Sequence, residues 1–177
     1  MQSLMSLIFK RSCSTDAIGA VKYKLTYFNG RGSAEHIRYI FHYCQVEFED
    51  FRIEWSEWPK YKMKMPLHQM PTLDVTWSPN ETVTITQSAT LVRLLGKLFE
   101  IDGSNVINKI RCDETFEILR DVVWLMNLAR HTKNETTSKK RYDLLLNDSI
   151  PRNFGYLEKM AKQNNGKSLA GNGDRVC

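Results

Sequence analysis

A chain of 177 residues with 42% hydrophobic and 11% aromatic content can bury one large core or two small ones, so disorder is not its default state. Its formal net charge of +5 is dispersed; the tight basic cluster Lys139-Lys140-Arg141 reads as a solvated helix start, and no nucleic-acid partner is expected. No apolar run approaches the roughly 20 residues of a membrane-spanning helix, no Cys-x-x-Cys links Cys13, Cys44, Cys112 and Cys177, and the four histidines lack metal-pair spacing, so no membrane, no metal and reduced thiols in the cytoplasm are expected.

Residues 1–21 carry an apolar patch from Leu4 to Phe9, then Lys10-Arg11 and a Ser-rich stretch with no acid before Asp16. They read as a disordered extension, with a mitochondrial presequence as the alternative. Tyr23 to Phe28 is a strand running into the turn Asn29-Gly30-Arg31-Gly32, which opens a helix with the apolar stripe Ile37, Ile40, Phe41 and Cys44. That β-turn-α start sets Tyr27 beside the free N–H groups of a helix start, where an anion is favoured. Its hydroxyl is either a working group or a satisfied buried polar tip.

Phe48 to Ile53 reads as a second strand, followed by a loop holding Trp55, Trp58 and Pro59, with Lys60, Lys62 and Lys64 around it. Two tryptophans this close either cap the core or line a pocket. Met70-Pro71 precedes a strand from Thr72 to Trp77, and Ser78 to Glu81 turns the chain into a returning strand, Thr82 to Thr86, a hairpin with a longer than minimal loop. The Met70-Pro71 bond is of the type in which a cis peptide is cheap. Ser88 stands where a helix N-cap belongs, ahead of Leu91, Leu94, Leu95, Leu98 and Phe99; it either caps the helix or, with Gln87, holds a ligand carboxylate. Asp102 to Asn105 is turn chemistry and the expected domain boundary. Beyond it a long helix spans about Asn105 to Arg130, a polar break covers His131 to Ser138, and a second helix runs from Tyr142 through Leu157 with a bend at Pro151. From Gln163 to Cys177 no further element is expected.

The order β-α-β, β-β-α, then helices predicts a thioredoxin-like α/β domain followed by an all-α domain. The segments YKLTYFNGRGSAE, EWPKYK, PLHQMPTLDV and TQSATLVRLL resemble the amino-terminal domain of cytosolic glutathione S-transferases, the sigma class above all. The likeness runs from Tyr23 to about Ile101 and continues loosely through Pro151 and Leu157. It implies a glutathione-binding domain at 22–101 and a partial helical domain at 104–177, with residues 1–21 outside it.

By that resemblance Tyr27 matches the tyrosine that hydrogen-bonds the glutathione sulfur, and Trp58, Lys62 and Gln69 match positions around the glycyl end. Met70 matches the residue whose backbone pairs with the cysteinyl unit, which makes the Pro71 bond cis, and Gln87 and Ser88 match the pair holding the γ-glutamyl end. Asp121 matches an acid that reaches the neighbouring subunit's site, so a homodimer is implied. Glutathione is then the co-substrate, a small hydrophobic electrophile the second partner, and detoxifying conjugation the reaction. Ser33 stands where some sigma-class members, the haematopoietic prostaglandin D synthases among them, carry an arginine. The run GKSLAGNGDRVC resembles the approach to the family's buried helix, and the helices that complete the all-α domain are expected to be absent. A non-catalytic relative, as in the lens crystallins that resemble this class, is therefore the alternative to an enzyme.

Overall fold

Four strands make one mixed sheet in the order β2-β1-β3-β4, and the alternation along each strand explains why one face is dry. Strand β1 (Lys22–Phe28) pairs in parallel with β2 (Glu49–Ile53) and antiparallel with β3 (Thr72–Ser78), which pairs antiparallel with β4 (Glu81–Thr86). Tyr23 and Leu25 of β1 lie opposite Val75 and Leu73 of β3, and all four are buried. Helices α1 (Glu35–Tyr43) and α3 (Ser88–Leu98) close that face with Ile37, Phe41, Leu91 and Leu95, none of which retains exposure. Phe41 stacks on Phe48 at 4.5 Å between ring centres and meets Tyr23 at 5.2 Å, an aromatic seam within the core. The computed structural model describes residues 21–170, and two compact units divide the chain after Phe99.

This is the thioredoxin-like arrangement expected of the first half, with several local differences. The supposed loop after β2 is helical: a 3-10 turn at Trp55–Glu57 leads into α2 (Trp58–Lys62). Pro59 in its first turn and Lys60 and Lys62 in its last explain why, since proline suits a helix start and cations its end. The β3–β4 hairpin is tight, with only Pro79 and Asn80 between the strands. The extra residue is absorbed by a register shift between Thr76 and Ser78, where Glu81 accepts from Trp77 Nε1 at 2.6 Å and from Ser78 Oγ at 3.0 Å. Ser88 is the first helical residue of α3; the cap position belongs to Gln87, and no side chain caps this helix. Of the cysteines expected to be reduced, Cys44 is a free thiol but Cys112 is disulfide-bonded.

The second unit is all helix among its described residues: α4 (Val106–Arg130), α5 (Glu135–Leu144), a wide π-turn at Leu145–Ser149, and α6 (Ile150–Gln163). Asn105 caps α4 through the Asn108 N–H, and Asn134 caps α5 through the Thr137 N–H, each at 2.9 Å. The second cap leaves only four residues between the end of α4 and the start of α5, so the polar break is shorter than expected. The expected bend at Pro151 appears as the π-turn just before it, which relieves the ladder where proline donates no hydrogen bond. Ala129, Leu145, Leu157 and Met160 are buried, while Val106, Ile107, Ile110 and Trp124 of α4 are more than half exposed. The extension expected at residues 1–21 falls outside the described residues except for Val21, as does the tail after Ala170.

Candidate functional site

Tyr27 ends on the helix-facing side of β1, half-buried, directly before the turn that leads into α1. Its hydroxyl oxygen accepts the backbone N–H of Ser33 at 3.2 Å, so the hydroxyl proton stays available to a further acceptor. Gly32 makes this geometry possible. With φ at +46° it occupies the left-handed region, and a Cβ there would lie 2.6 Å from the Tyr27 oxygen.

Around Ser33 the chain closes a small cavity of about 80 Å³. Its walls come from three separate segments: Ser33, the Leu67–Pro71 stretch, and Thr86, Gln87 and Ser88 at the start of α3. The Met70-Pro71 peptide is cis, and Gln87 and Leu67 hold φ values of 69° and 56°, uncommon for residues with a Cβ. Two such residues lining one cavity mark a place where surrounding structure over-determines the backbone, at a cost of about 1–3 kcal/mol each. The first turn of α3, whose Ser88 lines the cavity, contains no acidic residue and no side-chain cap, so a helix start of this kind favours an anion there.

The structure therefore brings Gln69, Met70, Pro71, Gln87 and Ser88 into one cavity, with Tyr27 joined to it through Ser33. Trp58 and Lys62 do not line it. Trp58 packs edge-on against Phe28 at 5.3 Å, and Lys62 is exposed, its carbonyl engaged by the His68 ring at 3.2 Å. Asp121 is exposed on α4 in the second unit. Leu67 and Thr86 join the lining without having been anticipated, because nothing in the sequence marks a left-handed Leu67.

Arg38 was also not anticipated. It sits inside α1 with its side chain only 4% exposed, where a helical arginine reads as surface. Its Nε donates to both Asp50 carboxylate oxygens at 3.1 Å, and Nη1 donates to Gly30 O at 2.9 Å, Arg31 O at 3.5 Å and Glu35 Oε2 at 3.0 Å. Asp50 also binds Arg52, which reaches Asn29 Oδ1 at 3.4 Å. Cys44 is a poor candidate nucleophile: burial pushes its thiol pKa up, which reduces the thiolate fraction. Among the described residues no group of three or more His, Cys, Asp or Glu side chains is placed to hold a metal ion.

No family model matches the chain. A haematopoietic prostaglandin D synthase from Mus musculus is 37% identical over 130 residues, 73% of this chain and 62% of that protein. The chain thus spans about three fifths of the length of the haematopoietic prostaglandin D synthases it matches. An S-crystallin, SL11 of Nototodarus sloanii, is 32% identical over 158 residues, 87% of this chain and 73% of the crystallin. In structure, the prostaglandin synthase D of Nilaparvata lugens superposes with a TM-score of 0.75 at 35% identity, covering 88% of this chain and 74% of that one.

Proposed function

We propose that this chain, which belongs to the cytosolic glutathione S-transferase family and is similar to its sigma class, binds glutathione at the Tyr27 cavity and activates its thiol for attack on small electrophiles. The observation that carries the reading is the Tyr27 hydroxyl. It accepts from Ser33 N–H and so keeps its proton for a sulfur, beside a cavity that ends at an uncapped helix start. A free thiol with a pKa near 8.5 is only a few per cent thiolate at neutral pH. Each unit of depression is worth about 1.4 kcal/mol, and one hydrogen bond to a charged sulfur is worth about 1.5–3 kcal/mol. Tyr27 could therefore supply one to two units without any metal.

The division of labour follows from the chemistry of each group. Gln87, Ser88 and the first N–H groups of α3 hold the γ-glutamyl end, the Met70 backbone pairs with the cysteinyl unit, and Gln69, Trp58 and Lys62 serve the glycyl end. The cavity takes one end of the tripeptide, and the remainder lies along the Leu67–Pro71 edge. Residues 22–101 form the binding domain and 104–177 the helical domain. The protein acts in the cytoplasm as a homodimer in which Asp121 serves the neighbouring site, and conjugation of electrophiles is its detoxifying role.

The S-crystallin match favours a second reading, a glutathione-transferase-like protein without turnover, because the chain covers more of that relative than of the haematopoietic prostaglandin D synthases. Retention on immobilised glutathione, followed by a conjugation assay with a chlorodinitroaromatic acceptor, separates the two. The transferase reading expects retention and turnover, with turnover reduced at least tenfold in Tyr27→Phe. Retention without turnover selects the second reading, and equal turnover in Tyr27→Phe removes the role given to Tyr27.

A further inference from the structure

Burying a guanidinium between two carboxylates is seldom a route to stability, because the desolvation cost of the charges offsets their attraction. Arg38 nonetheless keeps its place with one terminal nitrogen, Nη2, buried and without a hydrogen-bond partner. What its bonded nitrogens hold is instructive. Two of the acceptors, Gly30 O and Arg31 O, belong to the turn between β1 and α1, and the carboxylate Asp50 ties the same guanidinium to β2. The turn is held on its other side too. Asn29 N–H bonds Ile53 O at 3.0 Å, its side-chain amide donates to Glu54 at 2.7 Å, and its Oδ1 accepts from Arg52, itself bound to Asp50. One residue past this clamp stands Gly32, and the next N–H is that of Ser33, the donor to Tyr27.

We infer that Arg38 is a positioning residue: through the Gly30 and Arg31 carbonyls it fixes the turn that aims Ser33 N–H at the Tyr27 hydroxyl, and so sets how well Tyr27 stabilises a bound thiolate. The cluster of Arg38, Arg52, Glu35 and Asp50 balances two positive against two negative charges, so its effect on the site is geometric, not a contribution of net charge. Lysine cannot replace it. A single ammonium carries the charge but not the planar fork that spans a carboxylate and two carbonyls at once. The inference rests on the thiol-activating role proposed for Tyr27.

The test compares the full-length chain with Arg38→Lys, Asp50→Asn and Tyr27→Phe by two readouts. In the ligand-free protein, hydrogen exchange of the Ser33 amide is followed against that of the Phe41 amide in the core helix. With glutathione bound, the ultraviolet thiolate absorbance is titrated with pH. Arg38→Lys is expected to speed Ser33 exchange about tenfold while Phe41 stays protected, and to raise the thiolate midpoint by about one unit, a tenfold loss of thiolate below the midpoint. Asp50→Asn, which leaves Arg38 paired with Glu35 and both carbonyls, is expected to shift both readouts in the same direction by less; it serves in place of Arg38→Lys if that variant fails to fold. Unchanged Ser33 exchange and thiolate midpoint, alongside a raised midpoint in Tyr27→Phe, would overturn the positioning role and leave the Tyr27 reading standing. Parallel loss of protection at Ser33 and Phe41 with the midpoint unmoved would reduce Arg38 to a structural residue. A midpoint that Tyr27→Phe does not raise would overturn both readings.

Discussion

The two halves of this chain solve the burial problem to different degrees. In the first unit the large side chains Phe41, Leu25, Ile37, Leu73, Leu91 and Leu95 are fully buried, because a sheet face and two helices enclose them from both sides. The second unit has only helix surfaces to offer. Ala129, Leu145, Leu157 and Met160 are buried there, while Trp124 is 66% exposed and Val106, Ile107 and Ile110 also face outward. A protein whose candidate site needs sub-ångström alignment of Tyr27, Gly32 and Ser33 thus draws that rigidity from its better-packed half.

The sharpest way to break the contrast is to remove a keystone of the first core. Phe41→Ala is expected to destabilise the chain by about 3–5 kcal/mol, since it empties the aromatic seam with Phe48 and Tyr23; urea unfolding followed by tyrosine and tryptophan fluorescence measures it. Next comes Gly32→Ala. The new Cβ meets the Tyr27 hydroxyl and φ stays in the left-handed region, so a stability loss of about 1–2 kcal/mol is expected together with loss of retention on immobilised glutathione. Retention at the level of the unaltered chain would mean that the Tyr27 geometry does not serve binding.

In the second unit the corresponding substitution should matter far less. Trp124→Gln is expected to change unfolding free energy by no more than about 0.5 kcal/mol, and to reduce self-association measured by sedimentation, because an exposed apolar ring is removed without opening a cavity. A large destabilisation would show that α4 relies on contacts at that ring.

The smallest effect is electrostatic. The hydrogen bond from Arg111 holds the Glu114 carboxyl below the usual carboxylate range, with the Tyr156 hydroxyl donating to the same carboxyl. A carboxyl with a depressed folded pKa stabilises the fold above its unfolded pKa, and that contribution fades as pH falls through the folded value. The Glu114 side chain is partly exposed and its pairing is screened by solvent, so the expected result is a slight decline in thermal midpoint on acidification that Glu114→Gln removes, read by circular dichroism across the acid range.

How much of this was legible beforehand depends on the range of the interactions involved. The strand–turn–helix start, the paired strands and the long α4 follow from local periodicity and turn chemistry, and the grouping of Gln69, Met70, Pro71, Gln87 and Ser88 follows from the resemblance to the family's motifs, whereas the missing side-chain cap of α3 does not, since Ser88 reads as its N-cap. The helical α2 is hard to read because its two tryptophans suggest a pocket loop, although Pro59 and the lysines carry its start and stop signals. The tight hairpin is not legible because a register shift has no signature in hydrophobic pattern.

By itself, then, the sequence determined the elements, the inward faces and the residue types that can address a thiol and a carboxylate, since these depend on period and side-chain chemistry within a few positions. Only the tertiary structure decided that Ser33 N–H meets the Tyr27 oxygen, that Gly32 is needed to leave room for it, and that a buried Arg38 ties the turn to β2. The reason is that these contacts join separate segments of the chain through directed hydrogen bonds of about 3 Å, a geometry that no linear pattern of residues encodes.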